Sequence, residues 1–277
     1  MSYHDTLIES LESAGEVLLK HFGTIREGSF DRKSDIDLVT VADKEAEVVI
    51  KRIVSGAHPD HEILAEESGL QQGRQSGMRW LIDPVDGTTN FAHGCPIFSV
   101  SIALEQDGEM VLAGVYNPYH KEMWLAEKGS GATHNGKKIK VSDISEVKNA
   151  LVVSGFPYDR RERVHHYLKA WELMIGRAQG LLRLGSAALD LCYVASGRVE
   201  AYWEESLHPW DTAAGWLIVE EAGGRVTDFN GERFDPYKKQ VLATNGLVHD
   251  EVLAVLRERQ AWTEKEHPGE SQPVTER

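Results

Sequence analysis

Leu7, Leu11, Ala14, Leu18 and Phe22 recur at three- and four-residue intervals and predict an amphipathic opening helix. Residues 24–34, with Gly28 and mixed charge, read as a loop. DLVTVAD, Asp37 to Asp43, is an extended run leading into a second helix that carries Ala46, Val49, Ile50 and Ile53 on one face. HEILAE, His61 to Glu66, reads as a short strand ending in acids, 69–77 as a polar loop, and Arg79–Ile82 as the next strand. Apolar runs at 97–104, 110–116 and 122–126, punctuated by Asp107-Gly108 and Asn135-Gly136, predict an antiparallel meander from Ile97 to Val141. Such Asp-Gly and Asn-Gly pairs supply the positive φ that tight hairpins need.

From Leu151 the pattern alternates. Strands are expected at 151–154, 181–184, 199–203, 225–228 and 241–244, and helices at 163–175, 186–196, 211–222 and 249–259. Helices and strands that separate in this way fit a layered α/β or α+β stack better than a barrel. The tail 263–277, TEKEHPGESQPVTER, lacks apolar periodicity and is expected to be disordered.

Composition narrows the function classes. The 277 residues suffice for one large domain or two intimate lobes, and 41% hydrophobic with 27% charged residues is an ordinary globular balance. A net charge of −14 argues against direct nucleic-acid binding, which needs basic surface, and suits a protein whose acids are partly matched by bound cations. Cys95 and Cys192 form neither a CxxC nor a metal-ligand spacing, so a reducing compartment is expected. The opening MSYHDTLIESLE has no signal-peptide pattern and no apolar run is long enough to span a bilayer, so cytoplasmic location is the default and no membrane partner is expected.

The chemistry concentrates where apolar runs end. LIDPVDGTTNF, Leu81 to Phe91, places Asp83 and Asp86 at the end of a buried run, immediately before Gly-Thr-Thr. Asp43, Glu66 and Asp211 (in LHPWDTAAG) stand at similar strand–helix junctions, which in layered proteins gather at one edge. Taken singly, Asp43 and Asp211 could be helix caps, and Glu66 and Glu67 solvated loop acids. Taken together, crowded carboxylates raise one another's pKa unless cations compensate, and Lys33, Lys44 and Arg79 are few. An all-oxygen donor set favours Mg²⁺, with Mn²⁺ as a substitute, over Zn²⁺. Mg²⁺ is usually completed by substrate phosphate, and free N–H groups at Gly87 and Thr88 suit the same anion. Thr88 and Asp43 are of the right types to orient and deprotonate a water. No serine or cysteine nucleophile paired with a histidine stands out, so direct attack by water is favoured.

These motifs closely resemble the inositol monophosphatase family: LIDPVDGTTNF, WDTAAGWLIVEEAGG (Trp210–Gly224), AEES and DLVTVAD occur in the family's order, and 182–204 resembles its substrate-side region. The resemblance implies an α+β fold, a layered α-β-α-β-α sandwich with mixed and antiparallel sheets. It implies one catalytic domain of two intimate lobes over 1–262, a homodimer, and a lithium-sensitive phosphomonoesterase using two or three Mg²⁺ ions. It assigns Glu66, Asp83 and the Val85 carbonyl to a first metal, Asp83, Asp86 and Asp211 to a second, and Glu66 with waters to a third. Asp43 and Thr88 are implied to activate water, with Glu66 among the catalytic acids. Gly87 and Thr88 would meet phosphate through their amides. Gly185, Ser186, Ala187 and Glu204, helped by Asp86 and Asp211, would contact the alcohol. Departures are small: Ala65 stands where many members have glycine, and Lys33 is spaced differently from the commonest pattern. Thr89-Asn90 replaces the Lys-Glu usual in relatives acting on 3′-phosphoadenosine nucleotides. The expected substrate is a small polyol phosphate, inositol 1-phosphate first. Fructose 1,6-bisphosphate, histidinol phosphate and 3′-phosphonucleotides are alternatives, and so is a partner-binding role in a transcription complex. His93 is expected to face solvent or be satisfied in the core, and Trp210 to shield the site.

Overall fold

In the computed structural model the described residues are 1–24, 30–32, 38–74 and 77–272. Helix α1 (Tyr3–His21) starts from a reciprocal cap: the Ser2 hydroxyl accepts the Asp5 N–H at 3.1 Å, and the Asp5 carboxylate accepts the Ser2 N–H at 3.2 Å. Its predicted stripe Leu7, Leu11, Ala14 and Leu18 is fully buried. Strands β1 (Phe30–Arg32) and β2 (Leu38–Thr40) pair antiparallel. The segment expected to be all loop therefore contains a three-residue strand. Such a strand is too short to show a period. Asp37 and Lys33 lie outside the described residues.

Helix α2 (Val41–Ala57) buries Ala42, Ala46, Ile50 and Val54, a strict every-fourth-residue row. Val49 and Ile53 are only half-buried, so the packed face is rotated from the expected one. The row points at α1 and at the first sheet. That sheet has eight strands in the order β10-β9-β8-β7-β6-β5-β3-β4. They are β3 (Glu62–Ala65), β4 (Gly69–Gln71), β5 (Met78–Asp86), β6 (Ser99–Gln106), β7 (Glu109–Asn117), β8 (Glu122–Glu127), β9 (Gly131–His134) and β10 (Lys137–Lys138). Every pairing is antiparallel except β3 with β5. The meander forms as expected, and Asp107 and Asn135 take positive φ (50° and 47°) in its hairpins. Two expectations fail here. Part of the 69–77 loop is β4, and β5 does not stop at Ile82 but runs through Pro84 to Asp86. Between β5 and β6 lies the short helix α3 (Thr88–Ala92).

The second sheet orders as β12-β11-β13-β15-β14, built from β11 (Leu151–Ser154), β12 (Gly180–Leu182), β13 (Ala201–Glu205), β14 (Arg225–Thr227) and β15 (Gln240–Thr244). It is mixed: β11 runs parallel to β12 and β13, while β15 is antiparallel to both neighbours. The remaining helices are α4 (Val164–Ile175), α5 (Ala187–Ala195), α6 (Pro209–Glu221) and α7 (His249–Glu266). Three apolar cores fix five layers. The first joins α1 and α2 to the eight-stranded sheet. The second holds α5 and α6 between the two sheets. The third joins α4 and α7 to the outer face of the five-stranded sheet. This is the expected α-β-α-β-α order.

The C-terminal expectation is corrected. Helix α7 continues to Glu266, past the expected boundary at 262, and a 3₁₀ turn at Pro268–Glu270 docks on α4. The Glu270 carboxylate accepts the N–H groups of His165 and His166 at 2.9 and 3.1 Å. The helix escaped an apolar reading because its inner face turns polar. Arg259 and Thr263 are buried there. Arg259 pairs with Glu205, and the Thr263 hydroxyl donates to the Arg259 carbonyl at 3.0 Å. Arg163 and His166 complete the cage around Glu205. Burial alone would raise the Glu205 carboxyl, but Arg259 and the His166 hydrogen bond override it and hold it far below the usual range. Because its folded pKa is depressed, its stabilising share is present at neutral pH and is lost on acidification. Arg259→Met leaves this buried anion short of a partner and should lower unfolding free energy by about 3–5 kcal/mol, read from the urea midpoint at pH 7.

Candidate active site

Asp83 and Asp86 are three positions apart, and in a regular strand they would face opposite sides of the sheet. In the pairing with β6, Asp83 lies opposite Ser101 and Asp86 opposite Ser99. Three steps on β5 thus match two on β6, and the extra residue forms a bulge that returns both acids to one side. Pro84 suits a bulge because it brings no N–H that would need a ladder partner. The Asp83 carboxylate closes the bulge by accepting the Val85 N–H at 2.9 Å.

Asp86 is held from across the interior by the start of α5. It accepts the Ser186 hydroxyl, the Ala187 N–H at 3.1 Å and the Ala188 N–H at 2.9 Å, with Ser99 more distant at 3.4 Å. A carboxylate at a helix N-terminus satisfies orphan amides and opposes the helix dipole. Gly87 then takes φ 93°, a conformation that favours glycine. A Cβ there would also lie 2.9 Å from the Ile97 carbonyl oxygen and 3.1 Å from that of Gly185. Thr88, the first residue of α3, aims its hydroxyl at the Val85 carbonyl (2.9 Å) and at the Asp43 carboxylate (3.2 Å). Asp43 is fully buried in the first turn of α2. Asn90 locks the turn in place: its amide nitrogen donates to the carbonyls of Ile97 (2.8 Å), Leu184 (2.8 Å) and Gly185 (3.3 Å).

Glu66 and Asp211 complete the cluster. The Glu66 N–H donates to the Ile82 carbonyl at 3.1 Å, which keeps it beside β5. Asp211 accepts the His208 N–H at 2.7 Å at the start of α6; the N-cap is His208, Asp211 is the third helical residue reaching back to it, and it also belongs to the acid cluster. Trp210 stacks on His208 at the same corner. Burial, then the charges of Glu66, Asp86 and Asp211, push the Asp83 carboxyl well above the ordinary range. Asp211 is raised by burial and by Glu66, Asp86 and Glu204. Asp86 is raised by burial, against the hydrogen bonds from Ser186, Ala188 and Ala187. The structure thus brings Asp43, Glu66, Asp83, Asp86, Thr88 and Asp211 to one place, beside Val85 and Gly87. Four acids that repel one another, with a nearby carbonyl and no sulfur or imidazole donor in the set, fit hard divalent cations.

The expected substrate-side residues meet the cluster along one wall. Ser186 and Ala187 contact Asp86, but their donors are already directed at that carboxylate, and the Gly185 carbonyl lies against Gly87. Glu204 is buried on β13, where it accepts the Tyr202 hydroxyl at 2.6 Å. Burial pushes its carboxyl up to about 7, opposed by Tyr202 and the Arg183 charge. Sequence reasoning missed Asp190, a buried acid of α5 whose oxygens have no hydrogen-bond partner among the described residues. Burial and the charges of Glu204 and Asp86 raise it well above the carboxylate range. It also missed Glu47, which accepts the Glu67 N–H at 2.8 Å and steadies the loop after β3. Asp190 lies within the 182–204 stretch and Glu47 in no motif, and only burial singles either of them out. His93 is exposed, as one of its two expected placements had it.

Known proteins share this fold and sequence. The sequence profile of the Inositol monophosphatase family matches residues 2–261. An inositol-1-monophosphatase of Mesorhizobium japonicum is 37% identical over 253 residues, 91% of this chain and 95% of its own. The Nus factor SuhB of Vibrio cholerae is 41% identical over 224 residues, 81% of this chain and 84% of its own. The crystal structure of the extragenic suppressor protein SuhB from Bartonella henselae superposes with a TM-score of 0.88 at 37% identity, covering 92% of this chain and 98% of that one. The fold and site define a phosphatase of layered α+β architecture. The chain belongs to the inositol monophosphatase family.

Raised folded-state pKa values mean that the cluster's own contribution to the stability of the cation-free protein is fullest below the ordinary carboxylate range and is lost as pH rises. Glu204 contributes between 4.5 and about 7. After dialysis against chelator, unfolding free energy should fall across that window, and Glu204→Gln should recover about 3 kcal/mol at the upper end. A flat profile in urea titrations from pH 4.5 to 8 would contradict the crowding.

Proposed function

We propose that this protein is a Mg²⁺-dependent phosphomonoesterase that hydrolyses a small polyol phosphate, with inositol 1-phosphate the first candidate. The observation that carries the reading is the convergence of Glu66, Asp83, Asp86 and Asp211 beside the Gly87-Thr88 turn. Glu66, Asp83 and the Val85 carbonyl would hold one ion, Asp83, Asp86 and Asp211 a second, and Glu66 a third. When bound, the ions supply the positive charge that acidifies the attacking water and stabilises the departing oxygen. Asp43 and Thr88, already in contact, orient that water and take its proton. The amides of Gly87 and Thr88 face the phosphate.

On the alcohol side the residues divide the work. Glu204, near its midpoint at neutral pH, can donate to or accept from a substrate hydroxyl. Ser186 and Ala187 act through Asp86, fixing its two oxygens. The neighbouring Gly185 permits the close approach of Arg183, because a Cβ there would sit 2.0 Å from the Arg183 guanidinium. The resemblance adds a homodimer, which light scattering would check, and lithium sensitivity. No helix among the described residues is long and apolar enough to cross a membrane.

A phosphate-release panel with and without Mg²⁺ tests the reading. It would include inositol 1-phosphate, fructose 1,6-bisphosphate, histidinol phosphate and a 3′-phosphonucleotide. Mg²⁺-dependent release, fastest from the inositol ester, is expected, and no turnover of any ester sinks the proposal. Thr88→Ala should lower kcat by roughly 100-fold with little change in the Mg²⁺ requirement; unchanged turnover would remove Thr88 from the water-activating role. Relatives named Nus factor SuhB favour a second reading, a partner-binding role in a transcription complex. Asp83→Asn separates the two. A cellular phenotype that survives this change while phosphate release is abolished would assign the physiological role to the partner.

A further inference from the structure

A different donor chemistry appears on the far side of the five-stranded sheet, where the C-terminal turn meets α4. His165, His267 and Glu270 each offer one ligand atom, and these atoms lie within 4.8 Å of one another. Glu270 Oε1 is 2.8 Å from His165 Nδ1 and 3.7 Å from His267 Nδ1. The two imidazoles stack at 4.2 Å with 8° between their planes. In a tetrahedral site with bonds of about 2.1 Å, neighbouring ligand atoms stand roughly 3.4 Å apart. The two observed separations bracket that edge, and ligation requires the near-parallel rings to rotate out of their stack so that the in-plane nitrogen lone pairs converge on one ion.

The carboxylate is also oriented as a ligand needs to be. Its other oxygen is held by the N–H groups of His165 and His166, which turns Oε1 toward the imidazoles. The Glu270 carbonyl accepts Arg163 Nε at 2.8 Å, which fixes the backbone beneath. Trp262 backs the His267 ring at 5.0 Å. Two imidazoles and one carboxylate select borderline transition ions and discriminate against Mg²⁺, the opposite preference to the all-oxygen cluster.

We propose that His165, His267 and Glu270 form a second metal site, specific for a transition-metal ion of the Zn²⁺ type, that fastens the C-terminal turn to the start of α4. Three protein ligands leave a fourth position for water. Without the ion, His165 and Glu270 are joined by a direct hydrogen bond, and ligation replaces it. The site ties 267–270 to the segment that carries Arg163, and through Arg163 to the buried Glu205 cage.

The test uses the full chain in excess Mg²⁺, so that the carboxylate cluster is occupied, with Zn²⁺ titrated by calorimetry and followed by thermal unfolding. Wild type should bind one Zn²⁺ that the variants lack, and its Tm should rise by roughly 5 °C at about 100-fold excess over Kd. His267→Ala and His165→Ala should each weaken Zn²⁺ binding at least tenfold and abolish the Tm rise, while phosphate release in Mg²⁺ is retained. Glu270→Gln keeps an oxygen for the two amides but loses the anionic ligand, and should weaken binding similarly. No Zn²⁺-dependent shift up to millimolar ion, or an equal shift in both histidine variants, overturns the proposal.

Discussion

Like-charge repulsion among buried carboxylates is the constraint on which the rest of this structure depends. Water cannot screen Asp83, Asp86 and Asp43, which are all buried, and the Asp83 carboxyl is raised first by that burial and then by three neighbouring acids. A chain that gathers such groups must hold them rigidly, or they would separate. Among the described residues, neutral donors hold four of them. A bulge amide holds Asp83, a helix start holds Asp86, a hydroxyl holds Asp43, and the N-cap amide of α6 holds Asp211. These donors fix positions while leaving net negative charge for cations to neutralise.

The same economy of placement appears on β13. Glu204 and Glu205 are adjacent, so they point to opposite faces of the sheet. Glu204 faces other acids across the central layer and has its carboxyl raised toward neutral pH. Glu205 faces two arginines and a histidine in the outer layer and stays ionised. One strand therefore separates a polar wall poised between protonation states from a closed salt-bridge cage. The cage braces α4, α7 and the C-terminal turn behind the wall.

Most of the layered architecture is legible in the sequence, because amphipathic helices and Asn-Gly or Asp-Gly hairpins leave periodic marks. The motif acids are legible as well, since they end apolar runs. What stayed hidden has physical reasons. Strands β1 and β4 are three residues long and carry no period. The stretch Asp83–Asp86 reads as a turn because Pro84 and the acids look like a terminus, whereas the chain is still in the sheet. The last helix stops looking amphipathic where Arg259 and Thr263 replace apolar side chains on its buried face. Asp190 is an ordinary residue in the sequence, and although Asn90, Ser186 and Ala187 stand in the quoted motifs, the partners they hold are not legible there. Their importance arises from neighbours about a hundred positions away.

That separation has a consequence for how the molecule is made. Asn90 reaches Leu184 across 94 residues, Ser186 reaches Asp86 across 100, and Thr88 reaches Asp43 across 45. Contacts of such sequence distance form late, because long loops must close before they reward the chain. During synthesis, a nascent chain that has emerged only to residue 180 already carries Asp43, Glu66, Asp83 and Asp86 but none of the α5 groups that restrain the last of them. A shortened chain ending before α5 would therefore lack the donors that fix Asp86 and present looser acids than the full fold does.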